Sequence, residues 1–439
     1  MARHLRPRAC ARTCAWPFPG NRIRIEMTSP RICVIVPTRE RADTLAFTLQ
    51  TCTRQEYANL EILVCDNCSQ DNTADVVASI ADQRIRYANP GRRLSMADNW
   101  EYAISQIDAD YVSILGDDDG LLPNAIDDLA RLAEKHDYPI LTWSKVEYCW
   151  PSYVDPRLRN FTSVPLGNKL VSVKSSLALK HIYKFLLGYR NGPCIYNSLV
   201  SMKCVEQVLD RDGKLFQSAC PDVYSSLALA SVTDQYLFST RPFSVNGASA
   251  HSGGTSHVRP DISSQASDLF QKESASGTED FSRVRGSVHA AVVDTLAKFS
   301  VLAKTATPAV DYGKAFKKIL QDMNGMPEIA ADNRGMLERL ADRHGVRRVF
   351  EAAYLKLQNE AGQASTRSKV DTANVLSADN LIAWGDRFDI ADVAAAALFA
   401  GKILGSYAPP AKLNRYSLAG RVFTRIAQRL DGSAYYLGM

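Results

Sequence analysis

The 439-residue chain has no apolar run long enough to span a membrane. Its best candidate, Val393 to Gly401, is short, is bracketed by Asp392 and Lys402, and reads as a buried helix. Cysteine is missing from the second half: all ten lie at or before Cys220, and Cys33, Cys52 and Cys65 sit inside apolar segments. Buried thiols behave as small hydrophobes, so a reduced, cytoplasmic setting is expected. Cys65-x-x-Cys68 lacks a second Cys or His pair at zinc spacing, which argues against a zinc or redox site. Charge excess is also missing from the body of the chain. Residues 1–26 hold six arginines and one acid, Glu26, leaving 46 basic and 46 acidic residues out of 52 and 47. A neutral body excludes a general nucleic-acid binder, so no nucleic-acid partner is expected. The segment 1–29 reads as a basic leader expected to be disordered. Its arginines suggest a transit peptide, and Met27 just ahead of the first strand suggests a second start.

What is present is a regular alternation. Ile32 to Val36 is a short apolar run stopped by Pro37, as a buried strand should be. Asp43 looks like the N-cap of a helix with Leu45, Leu49 and Cys52 on one face. Strands are expected at Leu60–Cys65, Arg84–Ala88, Tyr111–Leu115 and Pro139–Val146. Helices are expected at 71–80, after Ser95, and from Pro123 to His136. Such alternation predicts a doubly wound, mostly parallel α/β sheet with ligands at the carboxyl ends of its strands. That rule groups Thr38–Glu40, Asp66–Ser69 and Asp117–Asp119. Further on, Ser172–Leu187 and the residues after Pro221 read as helical. The Ser/Gly-rich stretch 256–286 reads as a linker, and 287–439 as a helical region.

Three consecutive carboxylates, Asp117, Asp118 and Asp119, follow the fourth strand. Like charges this close raise one another's pKa, and a hard divalent cation with oxygen preference relieves them. Alone, such a triplet is equally well a solvated acidic turn. Its setting decides. The pieces ICVIVPTRERADTLAFTLQTCTRQEYANLEILVCDNCSQDNTADVV, RLSMADNWEYAI and DADYVSILGDDDGLLPNAIDDL occur in order over residues 31–130. In order, spacing and strand context the chain resembles family 2 of the GT-A glycosyltransferases. The resemblance thins over 131–250.

The resemblance implies a GT-A domain at 30–255 and inverting transfer of a sugar from a nucleoside-diphosphate donor. The donor nucleotide would be uridine- or thymidine-based, the acceptor a glycan or lipid-linked hydroxyl, and the cofactor Mn2+ or Mg2+. Pro37, Thr38 and Glu40 then fall where the family holds base and ribose. Asp66, with Asn67 beside it, falls where an acid accepts the imide N–H, which an acceptor-only carboxylate suits. Asp98 falls in the donor-pocket wall, and Asp117 and Asp118 beside the ribose. The metal would take Asp117 and Asp119 with His251 from a loop that also holds His257. Asp222, at a helix start after Pro221, falls where inverting members keep a general base, although a routine helix cap explains an Asp there too. Leu418, Val422, Ile426 and Leu430, with Arg421, Arg425 and Arg429 alongside, form a basic amphipathic pattern. It suits either core packing or peripheral contact of 416–430 with an anionic membrane at its inner face. Two other functions remain in view. One is a non-catalytic sugar- or partner-binding module. The other is an NDP-sugar nucleotidyltransferase, which Pro37-Thr-Arg-Glu40 disfavours because a Gly-rich phosphate loop belongs there.

Overall fold

The computed structural model describes residues 29–250, 252, 280–324, 326–361, 375–376, 380–385, 388–405 and 413–414. Strand β1 (Ile32–Thr38) is buried along almost its whole length. Its side chains alternate between two cores. Ile32, Val34 and Val36 enter one, and Cys33 and Ile35 the other. A strand covered on both faces has no polar side, which is why it reads as a continuous apolar run. β1 pairs in parallel with β2 (Leu60–Asp66) and β4 (Tyr111–Ile114), and β2 with β3 (Ile85–Ala88). Helix α1 (Ala42–Thr53) places Leu45, Leu49 and Cys52 in the first core, joined by Ile126, Leu129 and Ala133 of α4 (Ala125–His136). Helix α3 (Met96–Ser105), N-capped by the Ser95 side chain, places Trp100, Ala103 and Ile104 in the second. Between β2 and β3 lies the short helix α2 (Thr73–Ala78).

Beyond β4 the sheet becomes mixed. β9 (Ser198–Ser201) runs antiparallel to β4 and to β6 (Ile140–Cys149). β6 pairs antiparallel with β7 (Phe161–Pro165) and in parallel with the long β10 (Gln235–Ala248). β10 also meets β5 (Gly120–Leu121) and β8 (Leu170–Lys174), both antiparallel. Helices α5 (Ser175–Tyr183), α6 (Met202–Asp212) and α7 (Pro221–Ala230) add to the second core.

A helical region follows: α8 (Val288–Leu302), α9 (Tyr312–Asp322), α10 (Pro327–Arg343) and α11 (Arg347–Ala361). α8 joins it to the sheet because its two faces serve two cores. Val292, Leu296 and Phe299 enter the second core, while Ala290 and Val293 enter a third with Phe316, Leu337 and Phe350. Phe299 meets Tyr224 of α7 edge-on, ring centroids 5.3 Å apart.

Several sequence expectations are corrected. The helical reading of Ser172–Leu187 begins too early and ends too late. Residues 170–174 form β8, with Ser172 paired to Leu237, and the helix runs only from Ser175 to Tyr183. Leu170, Val171 and Val173 are buried there, and β-branched residues suit a strand packed on β10. The part after 287 is not helical throughout. β11 (Val375–Leu376) and β12 (Asn380–Trp384) extend the sheet beside β7, and β13 (Leu413–Asn414) pairs with β8. The run from Val393 is a buried helix, as expected: α12 (Val393–Gly405) sends Val393, Ala396, Ala397, Ala400 and Leu404 into the first core. Arg41 rather than Asp43 is the N-cap of α1, and Asp43 sits in the first turn, where an acid suits the helix dipole. Residues 1–28, His251, His257 and 416–430 lie outside the described residues.

Candidate active site

The carboxyl ends of β1, β2 and β4 converge, as the parallel pairing dictates. Thr38 lies opposite Asp66 in the β1–β2 register, and the Asn67 N–H donates to the Thr38 carbonyl at 3.0 Å. Asp66 is buried, 1% exposed. Its Oδ1 accepts from the Ser69 N–H at 3.0 Å and the Ser69 hydroxyl at 2.6 Å. Its Oδ2 accepts from the Tyr87 hydroxyl at 2.6 Å. Pro37, Thr38 and Asp66 are thus brought together.

Three other expected residues have scaffold contacts. Glu40 sits at φ 54°, in the left-handed region, and its carboxylate accepts from the Gln70 N–H at 2.9 Å and the Asp71 N–H at 3.1 Å. It therefore shapes the turn that presents Asp66. The Asn67 amide exchanges two hydrogen bonds with the Leu94 backbone, each 2.8 Å, and holds the approach to α3. Asp98 receives a hydrogen bond from the Ser95 hydroxyl at 2.9 Å and pairs with Lys214 at 3.0 Å. Lys214 above all holds its carboxyl below the usual range.

The three carboxylates after β4 are buried and point in different directions. Asp117 Oδ1 accepts from the Arg41 guanidinium at 2.7 Å, and the same nitrogen is 3.9 Å from Asp118 Oδ2. Asp118 Oδ2 also accepts from the hydroxyls of Ser249 and Ser252. Asp119 faces inward. Its Oδ1 accepts from the Gly247 N–H at 2.6 Å and its Oδ2 from the Gly116 N–H at 3.2 Å. Burial first, then Asp118, pushes the Asp119 carboxyl up to about 7. Burial likewise raises Asp117, against the attraction of Arg41. The buried Thr38 hydroxyl lies beside Asp117 and favours its charge, but makes no well-formed hydrogen bond. Asp117, Asp118 and Thr38 therefore offer oxygens beside Arg41, whereas Asp119 secures the loop. Among the described residues, no three His, Cys, Asp or Glu side chains form a ready metal cluster.

The loop has a tight mould. A Cβ on Gly247 would lie 1.8 Å from the Asp118 carbonyl oxygen, and one on Gly116 would lie 2.0 Å from the Tyr196 hydroxyl. The indole N–H of Trp150 donates to that Asp118 carbonyl at 2.9 Å, and the Thr48 hydroxyl of α1 donates to the Asp119 carbonyl at 2.7 Å.

A polar line connects the triplet to Asp222. The Tyr196 hydroxyl lies beside Asp119 and favours its charge, and the Lys145 ammonium sits 5.0 Å over the Tyr196 ring. Lys145 donates to Asn246 at 2.7 Å, Asn246 to Glu147 at 2.9 Å, and Glu147 lies 3.9 Å from Arg190. The Arg190 Nε–H donates to the Tyr189 hydroxyl at 3.3 Å, which in turn donates to Asp222 Oδ2 at 2.8 Å. Asp222 is not the cap of α7. Cys220 holds that position and Pro221 starts the helix. Among the described residues, Asp222 is oriented from the Oδ2 side, by Tyr189.

Arg41, Tyr87, Lys145, Tyr189, Arg190 and Tyr196 escaped the sequence reading. Only Arg41 carried a local signal, as a cation three residues past a strand end. Tyr87 lies on the expected third strand without a signal of its own, and the rest are brought in by strands and turns far along the chain. Cys65 and Cys68 do not face each other's partners. Cys65 lies 3.5 Å from the Asn99 side-chain oxygen and Cys68 3.2 Å from that of Asn89. Burial pushes the Cys65 thiol up to about 12, so it is inert.

Residues 33–196 match the family described as Glycosyl transferase family 2. Over 109 residues the chain is 33% identical to the Campylobacter jejuni GalNAc(5)-diNAcBac-PP-undecaprenol beta-1,3-glucosyltransferase, covering 24% of this chain and 35% of that one. Over 96 residues it is 27% identical to an Escherichia coli UDP-Glc:alpha-D-GlcNAc-diphosphoundecaprenol beta-1,3-glucosyltransferase, covering 22% and 38%. The chain thus spans little more than a third of the length of these curated relatives. Among solved structures, S. aureus TarS 1–349 in complex with UDP-GlcNAc has a TM-score of 0.43 at 14% identity, covering 79% of this chain and 96% of that one. Such a score adds nothing to the fold described above. The match spans β1 to the turn before β9 and takes in Thr38, Asp66, the carboxylate triplet and Tyr196. Residues 33–196 of this chain belong to glycosyl transferase family 2.

Proposed function

We propose that the protein is an inverting, metal-dependent glycosyltransferase. It moves a sugar from a UDP- or dTDP-linked donor onto a hydroxyl of a glycan or lipid-linked acceptor in surface polysaccharide biosynthesis. The observation that carries this reading is the gathering of Asp66 and the Asp117–Asp119 triplet at the carboxyl ends of β2 and β4, the two strands that flank β1, inside a family 2 domain. Undecaprenyl diphosphate-linked acceptors in the relatives' names favour a lipid-linked acceptor. The free, buried thiols favour a cytoplasmic setting. None of the described helices is long and apolar enough to cross a membrane. Peripheral contact through 416–430 completes the reading at a membrane's inner face.

Asp66 accepts the imide N–H of the base, and Thr38 lines the ribose. A set led by carboxylate oxygens fits Mg2+ or Mn2+. Asp117 and Asp118 would hold the ion, Asp119 would secure their loop, and His251 would add a ligand. Bound there, the ion would offset charge on the departing diphosphate. Arg41, already paired with Asp117, lies on the same side and supplies a second positive charge. Asp222, oriented by Tyr189, takes the proton from the acceptor hydroxyl.

The experiment is donor turnover without acceptor. Incubation with a panel of UDP- and dTDP-sugars and Mn2+ is expected to release free nucleotide slowly from at least one donor, and chelation is expected to stop it. Binding of donor with no release, with or without glycan acceptors, would favour the binding-module reading.

A further inference from the structure

Asp66 is 1% exposed, so a nucleobase can reach it only if something now beside it moves. Its partners differ in freedom. Ser69 is bound in the turn after β2: its N–H and hydroxyl both hold Asp66 Oδ1, and its oxygen accepts from the Glu40 N–H at 2.8 Å. Tyr87 is 39% exposed, on a strand that ends the sheet among the described residues. Among the described residues its hydroxyl is the one group on Oδ2, and that hydroxyl also accepts from the Asn89 amide at 3.4 Å.

We infer that Tyr87 is a specificity-determining gate of the nucleotide site. Its hydroxyl stands in for the base in the empty protein and is exchanged for the N3–H of uracil or thymine. The exchange replaces one donor to Oδ2 by another, so the buried carboxylate is never left unpartnered. It also rewards bases that carry a donor at that position. Cytosine, with an acceptor there, would meet the carboxylate lone pairs. This inference rests on the proposed nucleotide site.

The test compares wild type, Tyr87→Phe and Asp66→Asn by calorimetry with UDP and with inorganic pyrophosphate as probes. Removing the competing hydroxyl is expected to tighten UDP binding about fivefold, the worth of one net hydrogen bond, and to leave pyrophosphate binding unchanged. Asp66→Asn is expected to lose UDP binding selectively. Tyr87→Phe should also lower the melting temperature of the empty protein, with UDP restoring it. Wild-type binding of UDP with an equal or weaker affinity in Tyr87→Phe would overturn the gate and leave the site intact. No UDP binding by wild type would overturn the nucleotide site itself, and the gate with it.

Discussion

Replacing Asp222 by asparagine is expected to lower the turnover of donor and acceptor by about 10²–10⁴-fold, the usual worth of a positioned proton acceptor. Asparagine has nearly the same shape and its side-chain oxygen still accepts from the Tyr189 hydroxyl, now 2.8 Å from Asp222 Oδ2. The helix start is equally insensitive, because the cap position belongs to Cys220. Folding and UDP affinity should therefore match wild type, and the loss should lie in kcat. Steady-state kinetics with a competent acceptor, alongside UDP calorimetry, check this. A variant with unchanged kcat would remove Asp222 from the chemistry.

Gly247→Ala is expected to have the largest effect among single-atom additions. Its new Cβ would lie 1.8 Å from the Asp118 carbonyl oxygen and 2.7 Å from the Trp150 indole nitrogen. Neither neighbour is a flexible chain end. The Trp150–Asp118 bond must break, or β10 must withdraw from the loop and release the Gly247–Asp119 bond. Overpacking of this kind costs about 1–3 kcal/mol. Displacing Asp118 by about 1 Å should lower turnover by about 10²-fold. Gly335→Ala is the matched control. It is exposed within α10, its nearest neighbour would be the mobile end of Arg339 at 3.7 Å, and it should keep or slightly raise stability. Urea denaturation and donor turnover on both variants measure the contrast. Equal behaviour would mean that the mould around Asp118 does not hold the loop in place.

The first four strands and the helices between them were legible because each strand is a short apolar run closed by a polar residue, and each helix repeats its apolar residues at helical spacing. The same rule located Thr38, Asp66 and the triplet, since residues that follow parallel strands share one edge. Less legible was what each side chain does there. Glu40 and Asn67 stand at the right edge, yet their polar atoms hold backbone at 70, 71 and 94. Nothing local distinguishes a carboxylate that binds a ligand from one that ties a turn. The division of labour within the triplet depends on Gly247 and Ser249, more than a hundred residues on. β8 was read as helix because Ser172–Leu187 contains one, and five residues are too few for a period to show. β12 was missed because its partner, β7, lies more than two hundred residues away.

The central claim is a nucleotide site that needs both Asp66 and the carboxylates after β4. Calorimetry of UDP against wild type and an Asp117→Asn/Asp118→Asn variant, each with and without Mn2+, tests it most directly. The account predicts binding by wild type that strengthens with Mn2+, and loss of that strengthening in the variant, whose amide groups are poor ligands for a hard cation. Absence of UDP and dTDP binding to wild type at any Mn2+ concentration would contradict it.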